Sequence, residues 1–262
     1  PAATLAAVET LRQGGNAVDA TIATAAVLAV VEPQMTGIGG DCFAIVAKPG
    51  KKKLIALSGA GRAPKAATAD WYAREGIKRI ETTSVHAVTV PGAIDGWCRL
   101  LADHGTMPLD RLLAPAIALA EGGFVVAPRV AADWAHGTRK LKGVGAKKHL
   151  LKDGKPPKAG EVWRFPALAK TLKAIAAKGR DGFYAGAVAA DMVAELKALG
   201  GLPQAPSRLD PLVHREAARN AELLRDPSRC AIHIVAMPEE MPLAEAAQPQ
   251  HLPAVGLIDW RI

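Results

Sequence analysis

Two short glycine-rich stretches carry the residues best placed to do chemistry. The first is Gly37-Ile38-Gly39-Gly40-Asp41. Successive backbone N–H groups in such a run can cradle an anion, and glycine also permits a sharp turn or the close approach of another backbone. A dinucleotide loop needs a strand before its glycines and a helix after them. Here a predicted helix comes first and a predicted strand second, so a structural turn is the expected role, with Asp41 as a turn-stabilising carboxylate. The second stretch is Ser58-Gly59-Ala60-Gly61-Arg62-Ala63-Pro64, which carries one guanidinium, Arg62. His86, His104 and His136 stand alone, without the spacing of an HExxH or CxxC metal site. Cys42, Cys98 and Cys230 are far apart and odd in number, which argues against a disulfide framework or a zinc cluster.

The elements that must hold these stretches are legible from caps and periodicity. Gly14 closes a helix over Thr4–Gln13, where Leu5, Val8 and Leu11 recur at helical spacing. Asn16 is a good N-cap, and Asp19 sets a carboxylate in the first turn of a second helix over Ala17–Val31. That helix is apolar on nearly every face, which predicts burial on both sides, and Pro33 stops it. Cys42–Val46 and Leu54–Leu57 read as two strands of a hairpin, with Cys42 a small buried hydrophobe and Lys51–Lys53 a solvated edge. Further on, helices are predicted over Thr68–Arg74, Ala93–His104, Leu109–Glu121, Pro166–Ala177 and Ala187–Leu199, with a strand over His86–Val90 ended by Pro91-Gly92. The basic stretch from Arg139 to Lys155 has few periodic apolar residues and reads as a long surface excursion. After Gly201 prolines crowd in at 203, 206, 211, 227, 238, 242, 249 and 253. There a helix over Leu212–Leu224 and a strand over Ala231–Val235 are the only patterned pieces.

With 262 residues, half of them hydrophobic, the chain can bury a sizeable core. Its formal charge is +8. Lys and Arg read as spread along the chain without interleaved aromatics, so a basic solvated surface is expected rather than a nucleic-acid footprint. No run approaches the ~20 apolar residues of a membrane span, and no partnership with a membrane is expected. No signal peptide opens the sequence, which favours a cytoplasmic over a periplasmic address as an expectation.

Gly14-Gly15-Asn16-Ala17-Val18-Asp19-Ala20, then Val31-Glu32-Pro33, then Gly37–Asp41 resemble the start of the large subunit of the gamma-glutamyltransferase (glutathione hydrolase) family. The resemblance continues in Val90-Pro91-Gly92, in Pro115-Ala116-Ile117 with Ala120-Glu121 and Gly123-Phe124, and from Pro166 to Phe183-Tyr184-Ala185-Gly186. It covers residues 1–202 as a large-subunit region and leaves 203–262 as an unassigned Pro-rich tail. The resemblance implies an α/β (α+β) fold, the helix-rich portion of an αββα four-layer N-terminal-nucleophile hydrolase sandwich. It implies a precursor that cuts itself and a small subunit whose new N-terminal Thr attacks a γ-glutamyl amide. A Thr hydroxyl is a weak nucleophile whose own α-amine can act as base, with an unperturbed pKa of ~7.7–8.0. No metal or organic cofactor is implied.

The sequence departs from the family's pattern in three places. The Thr nucleophile motif is absent, so no catalytic residue is assigned, and the look-alike Thr82-Thr83-Ser84-Val85-His86 is expected to be structural. Beyond Gly201 the family's continuation is lost, which suggests a tail read out of frame or a truncated gene, and a catalytically dead product as one reading. Exposed apolar surface and aggregation are then expected where the second half of the sandwich would lie. Third, Gly61-Arg62-Ala63-Pro64 stands where the transferases have Arg-Glu-x-Ala-Pro. This is similar to the transferase-like subgroup that includes oxamate amidohydrolase and cephalosporin acylases. A planar guanidinium can hold a carboxylate by two parallel bonds, so Arg62 is the substrate-binding candidate, a loop Arg in structural contact being the other reading. The substrate is then a γ-glutamyl amide or, alternatively, a small acid amide such as oxamate.

Overall fold

A computed structural model of the chain describes residues 1–64, 67–81, 84–141, 143–200 and the backbone of 259–261. The described residues fall into two units. One holds residues 1–42 and 59–200; the other holds Phe43–Ser58 with the strand at 259–261.

The first unit is a helical layer. Helix α1 runs Ala2–Arg12 and α2 runs Ala17–Val31. Between them Gly14 takes φ +88°, the left-handed geometry that its sequence position predicts. Asn16 caps α2 by accepting from the N–H of Val18 and Asp19, and Asp19 returns the bond to the Asn16 N–H at 2.8 Å, a complete capping box. Ile22, Ala23, Ala26, Val27 and Val30 are all at most 1% exposed, so α2 is the central helix of the layer. It packs on α1, on α4 (Ala93–His104) and on α5 (Leu109–Gly122), and α5 in turn packs on α8 (Pro166–Lys178). The facing stripes are Leu112, Leu113, Ala116 and Ala120 on α5 and Ala169, Leu172 and Ile175 on α8, the three-and-four spacing of a one-sided helix. Small residues at these contacts let the helices approach closely.

Helix α2 and helix α4 are clamped together at both ends. At the start of α2, the Asn16 amide donates to the His104 carbonyl at the end of α4. Beside it the Asp19 carboxylate accepts from the Thr106 N–H and hydroxyl and from the Met107 N–H. At the other end, the Gly40 carbonyl beyond α2 accepts from Gly92 and Ala93 at the start of α4, both at 2.9 Å. The two helices are therefore antiparallel.

A smaller aromatic core lies under the two-stranded sheet of β3 (Phe124–Val125) and β4 (Val162–Trp163), where Phe124, Trp134, Trp163 and Phe165 pack ring on ring. Short helices complete the unit: α3 (Ala69–Arg74), α6 (Pro128–Gly137), α7 (Val144–Leu150), α9 (Asp181–Tyr184) and α10 (Gly186–Ala198).

The second unit is a sheet in the order β1 (Cys42–Ala47), β2 (Leu54–Gly59), β5 (Asp259–Arg261). β1 and β2 are joined through a turn in which Lys51 N–H donates to the Lys48 carbonyl. β5 runs parallel to β2, with Ile55 opposite Asp259 and Leu57 opposite Arg261. Along β1 the side chains alternate, and Phe43 and Ile45 are 67% and 70% exposed.

Three expectations are corrected. His86–Val90 is not a strand: the Ser84 hydroxyl accepts from the His86 N–H and starts a 3-10 turn over Val85–Ala87, and only Val90 pairs, with Arg62. The Arg139–Lys155 stretch is not a bare excursion: it contains α7 and is pinned by the buried Trp134 indole, which donates to the Leu150 carbonyl at 3.0 Å. Cys42 is half-buried rather than core. The helix over Leu212–Leu224, the strand over Ala231–Val235 and Cys230 lie outside the described residues. No helix among the described residues is long and apolar enough to cross a membrane.

Candidate functional site

Three loops of the helical unit are tied into one knot around Gly92. The Gly37–Asp41 loop reaches it through the Gly40 carbonyl, as above. Asp41 Oδ1 accepts from the Gly61 N–H at 2.8 Å, which joins the first glycine loop to the second. Arg62 then pairs with Val90 across an antiparallel bridge, its carbonyl accepting the Val90 N–H at 2.8 Å. The two glycine stretches and the Val90-Pro91-Gly92 turn are thus one structure, with Arg62 half-buried within it.

The glycines that this knot demands are not the ones the first run suggests. A Cβ on Gly92 would lie 2.1 Å from the Gly59 carbonyl oxygen, and one on Gly61 would lie 2.5 Å from the Val90 carbonyl oxygen. Backbone crosses backbone at both points, and no side chain fits. By contrast a Cβ on Gly37, Gly39 or Gly40 would meet nothing within 4 Å.

The knot is held from below by a residue that sequence reasoning passed over. Tyr184 is fully buried, and its phenol donates to the Pro91 carbonyl at 2.7 Å while accepting the Asp95 N–H at 3.1 Å. Burial pushes this phenol far above its ordinary pKa, so it remains a donor throughout the physiological range. The Arg180 guanidinium lies 5.0 Å over the Tyr184 ring and binds the Asp95 carboxylate through Nε. Cys98 is close by, and burial, with help from Asp95, pushes its thiol up to about 11. It is therefore no nucleophile near neutrality. A tyrosine buried at a tight helix-to-helix corner needs a partner for its hydroxyl; in the sequence Tyr184 stands out only as part of the Phe183–Gly186 stretch of the family resemblance.

The remaining candidates separate cleanly. Asp19 is a capping residue, as expected, but its second role, the bond to the 106–107 loop, spans the whole of α4 and has no local signature. His86 packs with Trp71 and Tyr72, His104 sits at the far end of α4, and His136 pairs with Arg139. None is hydrogen-bonded to the knot, and no cluster of three metal-binding side chains occurs among the described residues. Thr82 and Thr83 lie outside the described residues.

This helix-rich α+β layer has the fold of N-terminal-nucleophile hydrolases of the transpeptidase and acylase type. Among solved structures, cephalosporin acylase from Bacillus halodurans superposes with a TM-score of 0.72 at 38% identity, over 78% of this chain and 39% of that one. The chain belongs to the gamma-glutamyltranspeptidase family, whose sequence model matches residues 3–205. Among curated relatives it is 36% identical over 205 residues to the glutathione hydrolase proenzyme of Bacillus subtilis, covering 77% of this chain and 35% of that protein. It is 37% identical over 209 residues to the oxamate amidohydrolase proenzyme of Klebsiella pneumoniae, covering 76% and 38%. The chain therefore spans little more than a third of the length of these relatives.

Proposed function

We propose that this chain is the large-subunit portion of an enzyme that hydrolyses or transfers a γ-glutamyl group, with Arg62 holding the substrate's carboxylate. The observation that carries the reading is the knot itself. It fixes the backbone on both sides of Arg62 to two other loops, which is the rigidity a substrate-binding guanidinium needs. A small subunit supplies the N-terminal Thr, whose hydroxyl attacks the amide carbonyl while its α-amine takes the proton. The outward-facing Phe43 and Ile45 on β1 support such a partner, since an exposed apolar strand face is a surface for burial.

The runner-up reading, an amidohydrolase acting on a small acid amide such as oxamate, uses the same Arg62. It is favoured by the Gly61-Arg62-Ala63-Pro64 pattern and by a similarity to the Klebsiella relative equal to that of the Bacillus one.

The test is reconstitution with the small-subunit part of the Bacillus relative, followed by assays on a γ-glutamyl anilide and on oxamate. Anilide turnover that falls in Arg62→Gln through a KM raised about ten- to a hundred-fold, the range of a lost bond to a charged group, supports the proposal. Turnover of oxamate alone selects the runner-up. A folded, assembled pair with neither activity, or an Arg62→Gln variant with unchanged KM, refutes it.

A further inference from the structure

Lys and Arg occur along the whole chain, but the net positive excess falls largely in one segment. Between residues 139 and 158 stand Arg139 and the lysines at 140, 142, 147, 148, 152, 155 and 158, against the single acid Asp153. That is 8 − 1 = +7 of a whole-chain formal charge of +8.

The segment presents this charge on a fixed scaffold. Helix α7 turns its glycine side inward, where a Cβ on Gly145 would lie 3.3 Å from the Glu195 carboxylate on α10. Val144, Lys147 and Lys148, at i, i+3 and i+4, share the opposite face. Both lysines are exposed, and Val144 is 81% exposed. After α7 the chain makes a tight turn at Asp153-Gly154, both at positive φ, closed by reciprocal bonds between Lys152 and Lys155. Lys140, Lys152, Lys155 and Lys158 are exposed as well, and none of the described lysines here forms a salt bridge among the described residues. Trp134 and its bond to Leu150 hold the whole segment to the aromatic core.

We propose that this face is a docking surface for an anionic phospholipid bilayer. The composition selects that partner over nucleic acid. Lysine outnumbers arginine seven to one in the segment, giving mobile point charges rather than the forked, bidentate groups that read base edges. The segment contains no Phe, Tyr or Trp on which bases could stack. It does offer an apolar side chain, Val144, beside the lysines, the mixed character of an interfacial helix. Clusters of this size bind anionic leaflets electrostatically. The proposal is independent of the enzymatic reading above.

The experiment is co-sedimentation of the full chain with vesicles of phosphatidylcholine alone and of phosphatidylcholine mixed with phosphatidylglycerol. Binding is expected only with phosphatidylglycerol and weakens with added salt. Lys147→Gln with Lys148→Gln reduces it about thirty-fold, at the usual contribution per lysine near an anionic surface. Lys51→Gln with Lys52→Gln, which removes the same charge from an exposed turn elsewhere, leaves it within about two-fold on the same scale. Three results overturn the proposal: equal loss in both double variants, which reduces the effect to bulk charge; no vesicle binding by a chain whose circular dichroism is native; or retention on duplex DNA through Lys147 and Lys148 without vesicle binding.

Discussion

Replacing Asp19 by Asn removes one charge and one acceptor from a fully buried site. Its two carboxylate oxygens accept from the Asn16 N–H at 2.8 Å, the Thr106 hydroxyl at 2.6 Å, the Thr106 N–H at 3.0 Å and the Met107 N–H at 3.3 Å. An amide keeps one of those oxygens and offers an NH2 in place of the other. Whichever way it turns, at least one backbone N–H loses its acceptor and faces a donor. A buried donor left unsatisfied costs about 1–3 kcal/mol, and the lost charge assistance adds to this, so about 3 kcal/mol is expected in all. At about 2–4 °C per kcal/mol for a domain of this size, Tm falls by about 6–12 °C. The carboxyl carries a second signature. Burial alone would raise its pKa, but the bonds from Thr106, Asn16 and Met107 outweigh burial and hold it below the ordinary value. A depressed carboxyl stabilises the fold above its unfolded pKa of ~3.9, and that contribution is lost as pH falls through the folded value. Urea unfolding followed by circular dichroism, at neutral pH and at steps below about pH 5, reads both effects. Asp19→Asn should be weaker at neutrality and show a shallower acid loss than the parent. A variant within about 0.5 kcal/mol of the parent, the noise of a surface substitution, or one with the parent's full acid slope, refutes the reasoning.

Three further substitutions test the knot. Tyr184→Phe keeps the ring and removes the bonds to Pro91 and Asp95, so urea unfolding should show a loss of about 1–3 kcal/mol. Because the folded phenol's pKa is raised, the parent also loses stability as pH climbs above ~10, the unfolded tyrosine value, and the Phe variant lacks that part of the loss. Gly92→Ala drives a methyl into the Gly59 backbone and should cost at least the ~1–3 kcal/mol of overpacking, whereas Gly39→Ala, with open space around its Cβ, should stay within about 0.5 kcal/mol of the parent. Equal urea midpoints for the two glycine variants would show that the close crossing at Gly92 does not matter.

Much of the helical frame was legible because its signals are local. Asn16 with Asp19 is a capping box readable from four residues, and helix α2 begins and ends where its cap and Pro33 place it. Helix α4 likewise runs from the Pro91-Gly92 turn to His104. The failures are of one kind. His86–Val90 has strand composition, but a single hydroxyl, on Ser84, offered the backbone a competing bond and took it into a turn. The basic stretch hides α7 because its apolar contacts are few and its anchor, Trp134, lies outside it. The knot was half legible. Both glycine loops and Arg62 stood out, yet the glycines of steric consequence, Gly59, Gly61 and Gly92, are defined by a crossing of segments some thirty residues apart in sequence, which no local pattern encodes.

The two clamps on the antiparallel helices give that crossing its use. Helix α2 has 15 residues and is about 22 Å long. At one end the Asn16 amide and the Asp19 carboxylate hold the exit of α4; at the other the Gly40 carbonyl holds its entrance. The two rods are thus bonded directly at one end and through the Gly37–Asp41 loop at the other, which ties that loop to the start of α4. The Gly37–Asp41 loop leaves α2, and the Val90–Gly92 turn enters α4. Asp41 and Val90 then each take one bond to the loop that carries Arg62. Position at Arg62 is thus tied to a buried carboxylate at the opposite end of the frame. The full burial and full bonding of Asp19 serve that register, and under the proposed function a shift there reaches the Arg62 guanidinium, where a misplacement of about 1 Å is enough to cost a site much of its activity.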